Sequence, residues 1–313
     1  MSVDIALSGD RRILPGLAVT VRSALENSTT ILNVHVISAG LLDADKSKLQ
    51  KSWKHPNCGQ VSFAEIAKDQ LKGFRSTAYL KSKATYARYF IGDMFPSLAR
   101  CVYLDADLLV FRDLAETFRI DLGDKVAAAV RDVGVRINPI DLSLKLVKQR
   151  LGLRNEANYF NGGFMILDLN AWRRERLKEK LVDISVERFD DLDASDQDAL
   201  NIVLEDRILL VDELWNTSQY EKPNPLTGRI VHLIGTVKPW HARYKYKFRE
   251  AYYKDVIFKT FTDVLDRTEF HDWRPWDLAG LGKYAEVFTQ NMPTTDMMVG
   301  KLRRVAAKAL SRK

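Results

Sequence analysis

Val102-Tyr103-Leu104-Asp105-Ala106-Asp107-Leu108-Leu109-Val110 sets two carboxylates two residues apart at the end of an apolar, strand-like run. Along a strand, positions i and i+2 point to the same face. Asp105 and Asp107 can therefore converge on one point, with only the small Ala106 between them. Two adjacent anions are costly unless a cation lies between them. The stretch reads as a divalent-metal site at the C-terminal edge of a parallel sheet, where open α/β folds hold their ligands. Taken by itself, the nonapeptide also fits a strand that ends in a turn, with the aspartates as caps.

The segments on either side supply that sheet. Residues 3–7, 31–37, 61–65, 101–104, 126–130 and 164–167 are short, apolar and rich in β-branched side chains, as strands are. Between them, residues 14–26, 43–53, 85–91 and 177–189 carry apolar side chains at helical spacing. Pro15 and Gly16 suit the first turn of the first of these helices. The alternation predicts an α/β fold with a mixed, mainly parallel sheet flanked by helices. Beyond about residue 208 the pattern turns irregular. Short strands at 208–211 and 230–233 stand among Pro, Gly and aromatic residues.

The bulk composition is compatible with such a domain. A chain of 313 residues with 46% hydrophobic side chains can bury a full core. It has no apolar run near the roughly 18 residues that would span a bilayer. The N-terminus lacks a basic leader and reads as a first strand. The cysteines are Cys58 and Cys101, far apart in sequence, and they point to a reduced, cytosolic setting. Cys101 opens an apolar strand and reads as a buried small hydrophobe. The net charge is +7, most of it in the tail.

Three further stretches carry groups suited to chemistry. In Asn158-Tyr159-Phe160-Asn161-Gly162-Gly163-Phe164, paired glycines allow backbone to approach a ligand closely, and Asn161 adds an amide. A tight turn entering a strand is the structural alternative. Ser195-Asp196-Gln197-Asp198 opens a helical segment. Ser195 stands at its N-cap, and the acids suit the positive helix end. That structural role fits Asp198 well and leaves Gln197 to face a cleft. In Val231-His232-Leu233-Ile234-Gly235-Thr236-Val237-Lys238-Pro239-Trp240, a histidine ends a strand, a glycine loop follows, and a lysine can neutralise a phosphate. Asp10 follows the first strand, where a Rossmann-like sheet holds a nucleotide base or ribose. Arg88 is read either as a ligand-binding side chain or as a solvated one.

In this order, these segments resemble glycosyltransferase family 8, which includes bacterial lipopolysaccharide and lipooligosaccharide α-galactosyl- and glucosyltransferases and the glycogenins. The resemblance runs from Val3 to about Trp240. It implies a GT-A fold and a retaining transfer of galactose or glucose from a UDP-hexose to a bacterial surface glycan or lipid-linked oligosaccharide. It implies that Asp105, Asp107 and His232 bind Mn²⁺, with Mg²⁺ as the alternative, and that the metal bridges the diphosphate. Gly235 and Lys238 would hold the diphosphate, Asp10 the uracil, and Arg88 the phosphate–sugar region. Asp132, Asn161, Asp196 and Gln197 would bind the donor sugar, with Asp132, Asp196 and Gln197 nearest the reaction, and Gly162 would stand among the residues that bind the donor nucleotide. An amide at 197 is a poor nucleophile, so front-face substitution is the favoured route. The chain departs from the family at Ile13, where an aromatic residue often stacks on uracil. That role falls here to an aliphatic contact or to Arg12.

A glycogenin-like or protein-directed glucosyltransferase lacks a marked acceptor tyrosine. A catalytically inactive sugar-nucleotide binder is at odds with a complete metal triad. A nucleic-acid module lacks a recognition motif, so no nucleic-acid partner is expected.

Residues 1–265 are expected to form the catalytic domain and residues 266–313 an aromatic and basic extension. Met298, Leu302, Val305 and Ala309 recur at helical spacing, with Lys301, Arg304, Lys308 and Arg312 on another face. Upstream lie Trp273, Trp276, Tyr284 and Phe288. Such a helix suits an anionic membrane surface, which implies a protein peripherally attached to the cytoplasmic face of the inner membrane. A helix packed on the domain with a solvated basic face is the alternative.

Overall fold

The computed structural model describes residues 2–75, 82–137, 149, 151–154, 158–235, 238–240 and 255–274. The remaining basic tail, with Trp276, Tyr284 and Phe288, lies outside the described residues.

The strands are β1 (Ser2–Gly9), β2 (Ile31–Ser38), β3 (Cys58–Glu65), β4 (Arg100–Leu104), β5 (Leu108–Val110), β6 (Ala127–Arg131), β7 (Phe160–Asp168), β8 (Ile208–Val211), β9 (Thr217–Ser218) and β10 (Ile230–His232). Seven of them form one sheet in the order β3-β2-β1-β4-β7-β6-β8. The pairs β1–β2, β2–β3, β1–β4 and β6–β8 are parallel. Only β7 runs antiparallel to its neighbours, β4 and β6. The expected mixed, mainly parallel α/β sheet is therefore present, with one reversed strand at its centre.

Helices cover both faces because the strands are apolar on both. Val102 and Leu104 of β4 face one buried cluster, which also holds Leu17, Val21 and Leu25 of α1 (Leu14–Glu26). Cys101 and Tyr103 face the other, with Leu181 of the helix α2 (Leu177–Glu187). Cys101 is thus the small core residue anticipated, and burial pushes its thiol far up. Helix α3 (Asp196–Val203) packs beside α2 and β7.

The structure corrects several sequence expectations. Asp105 and Asp107 do not lie in a strand. The chain turns after Leu104, and Leu108–Val110 starts a second sheet, ordered β5-β10-β9. Asn161, Gly162 and Gly163 are not a turn before a strand, since β7 begins at Phe160 and includes them. The glycines lie within the strand because their missing side chains admit Arg88 and His232. Residues 83–90 form a 3-10 segment followed by one short α-helical turn, Ile91–Met94. Ser195 stands at the N-cap of α3 but makes no capping hydrogen bond, and its backbone is at φ +50°. Trp273, expected among interfacial aromatics, is buried with Phe270 against the core of α4 (Val256–Leu265), and its indole N–H donates to Trp240 O at 3.1 Å. Packing in this core takes its apolar ring out of water. Among the described residues no helix is long and apolar enough to cross a membrane.

Candidate metal and donor site

The reversed strand explains how distant motifs meet. The C-terminal ends of β1, β4 and β6 share one edge of the sheet. Because β7 runs the other way, its N-terminal end lies on that same edge. Leu104 pairs with Phe164, and Asp105 N–H donates to Gly163 O at 2.8 Å. Asp132 follows β6, and its N–H donates to Tyr159 O at 2.9 Å. His232 arrives by the second sheet, paired with Leu108 just past the Asp-Ala-Asp turn. Leu233 N–H then donates to Asp107 O at 2.9 Å.

Two glycines permit this closeness. A Cβ on Gly16 of α1 would lie 2.2 Å from Ala106 O, so the helix can start directly against the turn. A Cβ on Gly163 would lie 2.2 Å from His232 Cε1. Neither gap tolerates a methyl group without displacing a neighbour.

Around the turn, each carboxylate divides its oxygens. Asp105 Oδ1 accepts from Arg88 Nη2 (2.7 Å) and Tyr103 Oη (2.9 Å). Asp105 Oδ2 lies 3.9 Å from His232 Nε2. Asp107 Oδ2 is paired with the Lys238 ammonium, and Asp107 Oδ1 lies 3.2 Å from His232 Nε2. One oxygen of each acid and one imidazole nitrogen thus face a common point, with the three ligand atoms within 4.8 Å of one another. Burial alone would push the Asp107 carboxyl up. Lys238 and His232 outweigh that and hold it well below the usual carboxylate range. An oxygen, oxygen and imidazole set of this kind fits a divalent metal and suits Mn²⁺ better than Mg²⁺.

Arg88 is not solvated; it is 8% exposed and spends its guanidinium inside the site. It pairs with Asp105, sits 3.0 Å from Asp196 Oδ2 through Nε, and donates to Gly162 O at 2.8 Å. It also lies over the Tyr103 ring at 4.6 Å. Burial would lower its proton affinity, but Asp105 and Asp196 reverse that. Asp196 is 3% exposed. Its burial pushes the carboxyl up, with Arg88 opposing.

Asp132, Asn161 and Gln197, expected at the donor sugar, form one hydrogen-bonded group with Gly162, whereas Asp196 is turned to Arg88 instead. Asn161 Nδ2 donates to Asp132 Oδ2 (3.2 Å) and Gln197 Oε1 (3.0 Å). Gln197 Nε2 donates to Asp132 Oδ2 (3.3 Å) and Tyr159 Oη (3.2 Å). Gly162 N–H donates to Gln197 Oε1 at 3.3 Å. Asp198 is fully buried, accepting from Tyr159 Oη (2.5 Å) and Ala194 N–H (2.8 Å), which is the structural role its position suggested.

Asp10 and Gly235 stand at the periphery. Asp10 caps the 3-10 turn Arg11–Ile13, accepting from Arg12 N–H (2.9 Å), the Arg12 guanidinium and Ser82 Oγ (2.5 Å). Arg12, one of the two alternatives for the base contact beside an aliphatic one, is held against Asp10 here. Gly235 is exposed at φ +102°, a conformation glycine adopts freely. Its loop is tied by Gln219 Nε2 donating to Ile234 O at 2.8 Å.

Sequence reasoning missed Tyr103, Tyr159 and Asn216, and gave Gly16 a helix-start role only. Tyr103 stood in the opening motif, two residues before Asp105 on the same face. Asn216 had no spacing signal. It reaches His232 because Thr217–Ser218 pairs with β10.

Comparison with known proteins bears on this geometry. The model of "Glycosyl transferase family 8" matches residues 4–243. General stress protein A of Bacillus subtilis is 27% identical over 273 residues, covering 81% of this chain and 91% of that protein. The lipopolysaccharide 1,2-glucosyltransferase of Escherichia coli is 27% identical over 290 residues, covering 88% and 81% respectively. Among solved structures, the galactosyltransferase LgtC in complex with donor and acceptor sugar analogues superposes with a TM-score of 0.72 at 23% identity, covering 90% of this chain and all of that one. At that identity the likeness bears on the fold, which is the GT-A architecture anticipated.

Proposed function

The chain belongs to glycosyltransferase family 8, and on that premise we propose that it is a retaining, Mn²⁺-dependent transferase moving galactose or glucose from a UDP-sugar to a bacterial surface glycan or its lipid-linked precursor. The glucosyl- and galactosyltransferase names of its relatives support a hexose donor and a glycan acceptor. One observation carries the metal-dependent reading. Asp105 and Asp107 are each neutralised on one oxygen by a different cation and turn the other oxygen toward His232 Nε2.

Asp105 Oδ2, Asp107 Oδ1 and His232 Nε2 would hold the ion. Bound there, a divalent cation supplies Lewis-acid stabilisation of the charge that grows on the departing diphosphate. Lys238 and Arg88 bring fixed positive charge to the same edge, and a preorganised charge costs no reorganisation during reaction. Asp132, Asn161 and Gln197 offer both donors and acceptors for the hydroxyls of a hexose.

The carboxylates near the sugar are badly placed as nucleophiles. Asp196 is buried against Arg88, Asp198 is enclosed by Tyr159 and a backbone N–H, and Asp132 has both oxygens occupied, Oδ1 by Gly134 N–H and Oδ2 by the Asn161 and Gln197 amides. Retention is therefore assigned to front-face substitution. The bond from C1 to the leaving phosphate oxygen breaks, the acceptor oxygen bonds C1 on the same face, and its proton passes to the diphosphate.

A donor screen tests this reading. UDP-galactose, UDP-glucose and other sugar nucleotides are incubated with the protein, Mn²⁺ and a lipid-linked oligosaccharide, and UDP release is measured. Turnover with one UDP-hexose, lost on adding EDTA, is expected. Absence of turnover with every donor overturns the reading in favour of an inactive binder.

We also propose that the basic stretch from Lys301 to Lys313, which carries six Lys and Arg and no acid, holds the enzyme on anionic bilayers. Deleting the residues after Met292 is expected to release it from vesicles containing anionic lipid. Unchanged binding overturns the anchor.

A further inference from the structure

We propose that Asn216 is a positioning residue for the metal ligand His232. It keeps the proton on Nδ1 and so leaves Nε2 as the ligand atom. This inference rests on the metal-dependent reading above.

The argument starts from a donor that cannot be reassigned. The backbone N–H of Gly163 points at Asn161 Oδ1 at 2.9 Å, which identifies that atom as the carbonyl oxygen. The Asp132 carboxylate on the other side of Asn161 requires an N–H there and gives the same orientation. Asn216 meets the same Asn161 oxygen at 2.9 Å and must present its NH₂. Its carbonyl oxygen is then turned to His232 Nδ1, 3.0 Å away. An acceptor at that distance requires a proton on Nδ1. In the opposite tautomer two lone pairs would face each other in a buried place.

Asn216 is built to hold that position. It is 3% exposed, and its backbone is fixed by Glu213 O and by Arg136 Nη2, which donates to Asn216 O at 3.2 Å. The preceding Trp215 stacks on Phe164, next to Gly163, with ring centroids 5.1 Å apart. A ligating histidine commonly donates its second N–H to such a partner, and losing the partner weakens metal binding by about 10–100-fold.

The test combines a spectroscopic and a binding measurement. In protein labelled with ¹⁵N-histidine, His232 is assigned by the signals missing from His232→Gln. Two-bond ¹⁵N–¹H correlation is expected to show Nδ1 protonated, both without metal and with Zn²⁺ as a diamagnetic probe. A bare Nδ1 in the unsubstituted protein overturns the proposal with no variant needed. Asn216→Ala is expected to bind Mn²⁺ about 10–100-fold more weakly, read from the EPR signal of free Mn²⁺. Asn216→Asp keeps the acceptor for Nδ1 but turns its second oxygen on Asn161 Oδ1, so it is expected to recover only part of that loss. An Asn216→Ala protein with unchanged circular dichroism and unchanged Mn²⁺ affinity overturns the proposal. If the unsubstituted protein binds neither metal, the metal-dependent function falls. The Nδ1 proton in metal-free protein still decides the role of Asn216.

Discussion

At the Asp105–Asp107 end of the site, each carboxylate gives one oxygen to a cation and turns the other toward His232. At the Asp132–Gln197 end, side chains spend their polar atoms largely on one another. The first end holds ligand atoms ready for an external charge. The second is a closed hydrogen-bonded group, which in the proposed function sugar hydroxyls would enter by exchanging partners. Both ends share one sheet edge and are linked through Asn161, Asn216 and His232, so a substitution reports on its own end provided that link survives. Arg88 spans them, paired with Asp105 on one side and Asp196 on the other.

The largest separation between the two ends is expected from Asp107→Asn. It removes a ligand and the partner of Lys238 while preserving shape. Since a metal supplies several kcal/mol of transition-state stabilisation, turnover is expected to fall by about 10³-fold, with Mn²⁺ binding lost. Retained binding would erase the distinction.

Gly163→Ala comes next. Its methyl would strike the His232 ring, so Mn²⁺ affinity is expected to drop on the order of 10–100-fold while the Arg88–Asp105 pair remains. Calorimetric titration with Mn²⁺ measures this.

Gln197→Ala probes the other end. Losing one neutral hydrogen-bonding group is worth roughly 1 kcal/mol, so kcat/KM for the UDP-hexose is expected to fall about fivefold. Steady-state kinetics beside a Mn²⁺ titration should show metal affinity unchanged; a parallel loss of metal affinity would mean that the ends are not separable.

The smallest effect is expected far from both ends. Glu26 on α1 accepts from Arg267 just past α4, clamping the two helices at 2.7 and 2.9 Å. Burial would push the Glu26 carboxyl up, but Arg267 and Arg22 hold it below its ordinary value of 4.5. Its contribution is thus complete above that value and is lost as pH falls through the lower folded-state value. Arg267 is substantially exposed, so Glu26→Gln is expected to cost under about 1 kcal/mol at neutral pH, and less in acid, with turnover unchanged. Urea unfolding at both pH values measures it.

The parts of this molecule that sequence made legible are those with local causes. The apolar runs of β1, β2 and β4 and the periodicity of α1 announce themselves because burial on a fixed face repeats along the chain. The Asp-Ala-Asp turn was legible as chemistry though not as geometry, since a turn and a strand end can both bring two acids together. The strand identity of Asn161, Gly162 and Gly163 was hidden because glycine in a strand is explained only by what approaches it, here Arg88 and His232. Asn216 was invisible for a related reason. Its partner is brought to it by the β9–β10 pairing, a contact between distant segments that no local pattern encodes.

The most direct test of the central claim is a Mn²⁺ titration followed by EPR, with and without UDP, on the parent protein and on the Asp105→Asn, Asp107→Asn double variant. The account predicts one Mn²⁺ per chain in the parent, bound more tightly when UDP is present, and none in the variant. Equal binding by both proteins, or an affinity indifferent to UDP, would contradict it.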